Sequence, residues 1–282
     1  MKVVRSIKEM QEISNDLKKV GKSIGFVPTM GFLHEGHLSL VRRAKEENDI
    51  VVVSIFVNPL QFGPKEDFNS YPRDEERDLN LLRDLADFVF IPEAKEMYPE
   101  GYSTYVEVEN LTTNLCGRFR PGHFKGVTTV VLKLFNIVKP TRAYFGKKDY
   151  QQFRVIERMA LDLNLEIEVV PCEIVREKNG LAMSSRNVYL TKDEFEETSI
   201  IYKALSYGKE LIEEENIRDP KVVIDKIKEI IQSAKSLKKI DYIQIVEPIT
   251  LQDVDKIESP VVILFAGYFG NARLIDNVEV NL

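Results

Sequence analysis

Histidine and cysteine are scarce in this 282-residue chain, at 3 and 2 residues respectively. Cys116 and Cys172 stand far apart and form no motif, which argues against a disulfide framework. Two unpaired thiols fit a cytoplasmic protein. No apolar run reaches the roughly 18 residues that a membrane-spanning helix requires, so no membrane partner is expected. The N-terminal stretch MKVVRSIKEMQEISNDLKKV lacks both the apolar core and the small-residue cleavage site of a secretion signal. It reads as a short strand followed by an amphipathic helix. An excess of positive charge is also missing: the formal net charge is −6, which argues against a nucleic-acid partner. There is no internal repeat and no low-complexity tract.

What is present is the composition of a globular protein, 44% apolar and 30% charged, with ample length for a core. The charge is unevenly spread. From Arg118 to Arg154 there are nine Lys or Arg and one acid, Asp149. That local excess suits either a small polyanion such as a nucleotide or a solvated basic face. In the first half, strand-like and helix-like segments alternate. SIGFVPTM, DIVVVSIFVN, ADFVFIP, RAYFG and EIEVVPC read as strands. HLSLVRRAKEEN, DEERDLNLLRDL and DYQQFRVIERMALDL read as helices, as does the stripe of Phe124, Val127, Val130, Val131, Leu134 and Phe135. This alternation predicts a parallel sheet covered on both faces, with ligands at the carboxyl ends of its strands.

The pattern changes near residues 171–176. REKNGLAMSSRNVYL is turn-rich, and Asn179-Gly180 within it signals a hairpin. Two charged amphipathic helices follow, roughly Lys192 to Glu215 and Pro220 to Ser236. Strand-like KIDYIQIVE, SPVVILFAGYFG and ARLIDNVEV come next. The expected fold class is α/β, a parallel sheet with helices on both faces over residues 1–173, plus a smaller α+β domain over 174–282.

Two of the three histidines, His34 and His37, share the segment PTMGFLHEGHLSLVRRA. A strand is expected to end near Met30 and a helix to begin near Gly36 or His37. Helix N-termini offer N–H groups and partial positive charge to phosphate. Gly31 and Gly36 permit tight turns and close approach of a ligand to the backbone. Imidazoles donate hydrogen bonds to phosphate oxygens and are able to carry charge near neutral pH. Such a turn is suited to bind a triphosphate and to stabilise the charge that develops on its cleavage. Spacing alone leaves two alternatives open: a metal pair, although no third ligand lies nearby, and two plain surface residues.

His34-x-Gly36-His37 resembles the H-x-G-H signature of the nucleotidylyltransferase superfamily, shared with class I aminoacyl-tRNA synthetases. Their second, later signature is a variant of Lys-Met-Ser-Lys-Ser, and AMSSRN stands here at a suitable distance. The match narrows with FVPTMGFLHEGHLSLVRRA, VSIFVNPLQFGPKEDFNSYPRD, RPGHFKGVTTVVLKLFNIVKP, AYFGKKDYQQ and MSSRNVYL. Together these resemble the pantothenate synthetase family, also called pantoate–β-alanine ligases, and the likeness covers nearly the whole chain. It implies a Rossmann-like first domain and a second domain that carries the MSSR flap.

The resemblance further implies an amide synthesis in two steps. ATP, as substrate, adenylates the carboxylate of pantoate and releases pyrophosphate; the amine of β-alanine then displaces AMP. The expected catalytic residues are His37 as proton donor, His34, Lys147, Ser184, Ser185 and Arg186. The nucleotide site would comprise Met30, Gly31, His34, Gly36 and His37, then Gly146, Lys147, Lys148 and Asp149, the last at the ribose. Val175 would contribute backbone, and Met183, Ser184, Ser185 and Arg186 a flap over the β- and γ-phosphates. Gln61, Gln152, Asn58 and His123 would meet pantoate, and Gln61 also β-alanine. Neutral amides suit a carboxylate that must remain nucleophilic. Phe56 and Phe62 are candidate apolar walls. Mg2+ is implied, held mainly by phosphates and with no protein ligand of its own, and so is a homodimer.

Several residues keep a second reading. His123, at the expected start of a helix, is either a site residue or a cap. Arg118 and Arg120 are candidates for a phosphate or a carboxylate. Asp78 reads as an acid on the exposed face of its helix rather than as a metal ligand. Phe32 stands where the family pattern leads one to expect a small residue, and Lys148 where an acid is also common. Two rivals remain at this stage: nucleotidyl transfer to a phosphate-bearing acceptor, and a non-catalytic nucleotide sensor. The first would want extra cations where this chain has Asn58, Gln61 and Gln152.

Overall fold

The computed structural model describes residues 1–64 and 66–282. Its elements run β1 (Lys2–Val4), α1 (Ile7–Lys19), β2 (Ile24–Thr29), α2 (Glu35–Glu47), β3 (Ile50–Ile55), α3 (Glu75–Leu82), β4 (Phe88–Phe90) and α4 (Ala94–Met97). They continue α5 (Leu115–Phe119), α6 (His123–Val138), β5 (Arg142–Gly146), α7 (Tyr150–Asp162), β6 (Glu168–Cys172), α8 (Lys192–Glu197), α9 (Ser199–Glu213), α10 (Pro220–Ile231), β7 (Leu237–Val246), β8 (Val261–Phe269) and β9 (Ala272–Val280). The chain divides into two compact units.

The first unit comprises Met1–Glu109, Arg120–Lys147 and Gln152–Glu173. Its six strands are all parallel, in the order β1-β4-β3-β2-β5-β6. The β-branched run Val51-Val52-Val53 occupies an inner strand and is buried throughout, as a strand covered on both faces requires. Successive side chains face opposite ways. Val27, Val51, Val53 and Tyr144 therefore pack with Leu38, Val41 and Ala44 of α2 on one face. Phe26 and Phe145 meet Phe135 of α6 on the other, with ring centroids 6.5 and 6.4 Å apart. From β2 the chain proceeds to β3 on one side, while β5 and β6 are added on the other. That border between β2 and β5 is a topological switch point, where the carboxyl ends of strands open a crevice.

The second unit comprises Asn110–Phe119, Lys148–Gln151 and Ile174–Leu282. Its sheet is antiparallel, in the order β7-β8-β9. Helices α9 and α10 cover it through Ile201, Leu205, Leu211, Val223 and Ile227. The single helix expected from Lys192 to Glu215 is two helices. At Thr198, fully buried, the hydroxyl donates to the Phe195 carbonyl at 2.6 Å and closes α8 before α9 begins. Asn179-Gly180 does reverse the chain, with Gly180 at φ +92°, but the reversal holds one bridge, Arg176 to Ala182, and no longer ladder.

Candidate active site

β2 ends at Thr29, whose hydroxyl donates to the Ser54 carbonyl at 2.7 Å and accepts from the Gly31 N–H at 3.1 Å. Gly31 at φ +81° and Phe32 at φ +49° are both left-handed. A β-carbon on Gly31 would stand 2.9 Å from Ile55 and 3.1 Å from Asp78, so the position is closed to side chains. Gly36 needs no such freedom; it sits in the first turn of α2.

The two histidines do something the spacing did not reveal. His34 is the N-cap of α2 and its Nδ1 accepts from the Gly36 N–H at 3.2 Å. His37, one turn on, returns the favour: its Nδ1 accepts from the His34 N–H at 3.3 Å. The pair forms a reciprocal cap in which imidazoles stand where Ser and Glu are usual. An Nδ1 that accepts carries no proton, so each neutral ring bears its hydrogen on Nε2. The rings lie 4.0 Å apart, centroid to centroid. The N–H groups of His34 and Gly36, and the Nδ1 atoms of both rings, are thus spent on the cap itself.

Asp78 departs from its expected place. It is 1% exposed, not on the solvent face of α3. Its carboxylate accepts from the N–H of Phe32 and of Leu33, each at 2.7 Å. Burial pushes the Asp78 carboxyl up, and the two N–H bonds and Arg77 pull it partway back. Arg77 lies 3.6 Å from that carboxylate and 5.1 Å from the Phe32 ring centroid, which accounts for the large residue at position 32. Asp78 lies on the same side of α3 as the buried Leu82, four residues on.

After β3 the chain makes a one-turn helix, Pro59–Gln61, capped by Asn58. Gly126 of α6 packs so closely here that a β-carbon would fall 2.3 Å from the Leu60 carbonyl oxygen. Asn58 is buried and fully engaged. It donates to Gly126 and to Gln61 Oε1, both at 3.1 Å, and accepts from Leu60 N–H at 3.3 Å and Tyr98 Oη at 2.7 Å. Burial, with Tyr102 and Tyr105 nearby, pushes the Tyr98 phenol well up, so it stays a donor. These bonds fix the Gln61 amide, whose Nε2 donates to Met30 Sδ at 3.3 Å. Phe62 meets Phe68 and Tyr71 edge to face, and Phe56 lies tilted against Tyr98.

His123 is the first residue of α6, but the cap is Gly122. Its ring bridges two neighbours, Nδ1 to the Gln61 carbonyl at 2.8 Å and Nε2 to Arg120 Nη1 at 3.1 Å. A guanidinium only donates, so Nε2 accepts and Nδ1 carries the proton. Arg120 itself makes a two-pronged pair with Glu66, at 2.7 and 2.6 Å. Burial raises the Glu66 carboxyl, but Arg120, the Gly63 backbone and His123 together outweigh that and lower it. Arg118, in α5, is exposed.

The basic stretch is less of an anion trap than its sequence promised. Arg120, Lys125, Arg142, Lys147, Lys148 and Arg154 each face a carboxylate. Lys147, just past β5, reaches Glu173 Oε1 at 2.8 Å, and Lys148 lies 3.6 Å from Asp149. Of the neighbouring glutamines, Gln151 is structural. It donates to the Leu111 and Asn114 carbonyls and accepts from Cys116 N–H, at 2.8, 2.8 and 2.9 Å. Gln152 is half-buried on α7.

In the second unit, Ser184 caps a short 3-10 turn, Ser185–Tyr189, by accepting from the Arg186 N–H at 3.3 Å. Met183 N–H donates to the Val175 carbonyl at 3.0 Å, joining two of the expected nucleotide contacts. The preceding reversal is held by Arg176, which pairs with both oxygens of Asp276 on β9 at 2.6 and 2.9 Å and donates to Gly180 at 3.0 Å. Next to Asp276, Asn277 donates to the Lys148 carbonyl at 3.1 Å. Nothing in ARLIDNVEV signalled this brace beyond a polar pair inside an apolar strand.

The relatives of high identity point to one family. The model of the pantoate-beta-alanine ligase family matches residues 2–279. A pantothenate synthetase from Thermosipho africanus is 57% identical over 281 residues, 99% of this chain and 100% of the relative. The crystal structure of pantothenate synthetase from Thermus thermophilus aligns at a TM-score of 0.93 and 45% identity, covering 100% of both chains. That of pantoate-beta-alanine ligase from Francisella tularensis, complexed with beta-gamma ATP and beta-alanine, aligns at 0.80 and 38%, covering 99% of this chain and 97% of that one.

Proposed function

Because the chain belongs to the pantoate-β-alanine ligase family, we propose that it condenses pantoate with β-alanine to pantothenate at the expense of ATP. A pantoate carboxylate oxygen attacks the α-phosphorus, forming an O–P bond as the bond to pyrophosphate breaks. The β-alanine amine then attacks the acyl carbon of the adenylate, forming the amide as AMP leaves and the amine gives up a proton. The observation that carries this reading lies at adjacent strand ends. The paired imidazoles of His34 and His37 stand in the turn after β2, and Gln61 holds an oriented amide after β3.

In this reading the imidazoles of His34 and His37 meet the phosphates, where they oppose the charge that builds on the attacked phosphoryl group. Lys147 exchanges Glu173 for a phosphate oxygen. Ser184, Ser185 and Arg186 take the β- and γ-phosphates and Asp149 the ribose; Met30, Gly31, Gly36, Gly146, Lys148, Val175 and Met183 line the nucleotide. Gln61 and Gln152 hold pantoate. One Gln61 N–H is spent on Met30, and the second serves the carboxylate without the strong pairing that would blunt it as a nucleophile. Asn58 and His123 act chiefly by fixing Gln61, at its side chain and its carbonyl. Residues 1–173 supply the acid pocket and residues 174–282 the flap, in keeping with the passage from one compact unit to the other at Glu173/Ile174.

Among the described residues no three of His, Cys, Asp or Glu gather as a metal cage. Magnesium is proposed to arrive on the ATP phosphates, whose charge it would neutralise, and no residue of this chain is assigned to it. A homodimer, which would show twice the 32.5 kDa chain mass in light scattering, and a cytoplasmic location complete the proposal. No helix among the described residues is long and apolar enough to cross a membrane.

The test is exchange of labelled pyrophosphate into ATP. It should require pantoate, ignore phosphorylated acceptors, and give way to stoichiometric AMP and pantothenate once β-alanine is added. Exchange that ignores pantoate would sink the reading. Gln61→Ala should raise the KM for pantoate about tenfold, the scale of one lost hydrogen bond to a charged group, with the KM for ATP nearly unchanged. A collapse in ATP affinity would mean that the acid pocket lies elsewhere.

A further inference from the structure

We infer that Asp78 is a positioning residue for the adenylation step, its carboxylate filling the β2–α2 turn and thereby setting the aim of His34 and His37. This rests on the ligase reading above. In a tight turn successive backbone N–H groups can point into one concavity, an arrangement that commonly holds an anion. Here Gly31 and Phe32 supply the left-handed pair, and the N–H groups of Phe32 and Leu33 converge on one carboxylate. The anion in the concavity is the protein's own, delivered from α3.

The consequence for catalysis follows from what remains. The turn is shaped before any substrate arrives, because its internal donors already have their acceptor. Leu33, fully buried, leads straight into His34, whose N–H and Nδ1 are locked with His37 and Gly36. The Nε2–H groups are therefore aimed by a chain of contacts that begins at Asp78: carboxylate, turn, cap, rings. Displacing reacting groups by about 1 Å costs rate on the order of 10²-fold while leaving contacts made elsewhere intact. Arg77 adds to the same brace from outside, near both the carboxylate and the Phe32 ring.

Asp78→Asn keeps the shape but turns one acceptor into an N–H donor facing an N–H. With the parent chain competent in pantoate-dependent exchange, we expect D78N to lower the kcat of that exchange about 10- to 10²-fold. The KM for pantoate should stay within about threefold, as should aminolysis of supplied pantoyl adenylate by β-alanine, since the carboxylate touches neither. Should D78N not be recovered folded, Arg77→Gln, a surface change, reads the same brace: a roughly two- to fivefold loss with the same split. Exchange at the parental rate in folded D78N, both half-reactions falling in step, or R77Q without effect where it is the variant read would each overturn the inference. A parent chain with no exchange at all would instead overturn the ligase reading.

Discussion

His37→Ala should lower pantoate-dependent pyrophosphate exchange by about 10²-fold or more, the scale of losing one donor aimed at developing charge. The same change removes the acceptor of the His34 N–H, and loss of a cap costs about 0.5–2 kcal/mol of stability. The two effects separate with a second variant. His37→Gln puts an amide oxygen at the third helical position, where it is able to accept from the cap as Glu and Gln do. Urea unfolding of H37Q should approach the parent, while its exchange rate stays near that of H37A. A rate that returns together with the stability would mean that His37 serves α2 and not the phosphates.

Asp276→Ala should destabilise the chain by about 3–5 kcal/mol, the usual cost of leaving one member of a buried ion pair alone. Asp276 is 2% exposed, and burial pushes its carboxyl up in spite of the Arg176 guanidinium. The sign matters. A carboxyl whose folded value is raised favours the fold below its unfolded value, and that contribution is lost as pH rises through the folded value. On that sign the Asp276 charge adds no stability of its own as pH rises, and removing both charges should be far milder than removing one. Arg176→Met with Asp276→Leu should unfold within about 2 kcal/mol of the parent. The double change would still free the Asn179-Gly180 reversal ahead of Ser184, so its KM for ATP should rise although its stability survives. Equal losses from the single and double changes would refute this account of the pair.

The sheet was legible because burial on two faces imposes continuous β-branched runs, such as Val51 to Val53. A candidate site could be proposed because His34, His37, Lys147 and Ser184 are chemically conspicuous residues in short strings. What escaped was support from a distance. Asp78 looks like any acid on a charged helix until its N–H partners, 45 and 46 residues earlier, are placed beside it. Glu66 and Tyr98 likewise gain meaning only through Arg120 and Asn58. The break at Thr198 was hidden for the opposite reason: a side chain bonding its own backbone leaves no trace in hydrophobic spacing.

One bond also orders events during synthesis. Arg176 is separated from Asp276 by 100 residues. At the usual pace of translation, about 5–20 residues per second, the guanidinium emerges some ~5–20 s before its counter-charge exists. Throughout that interval the nascent segment from Arg176 to Arg186 lacks its anchor, while all six parallel strands have already been made. The molecule is therefore assembled sheet first, and the reversal ahead of Ser184 is fastened only when β9 emerges.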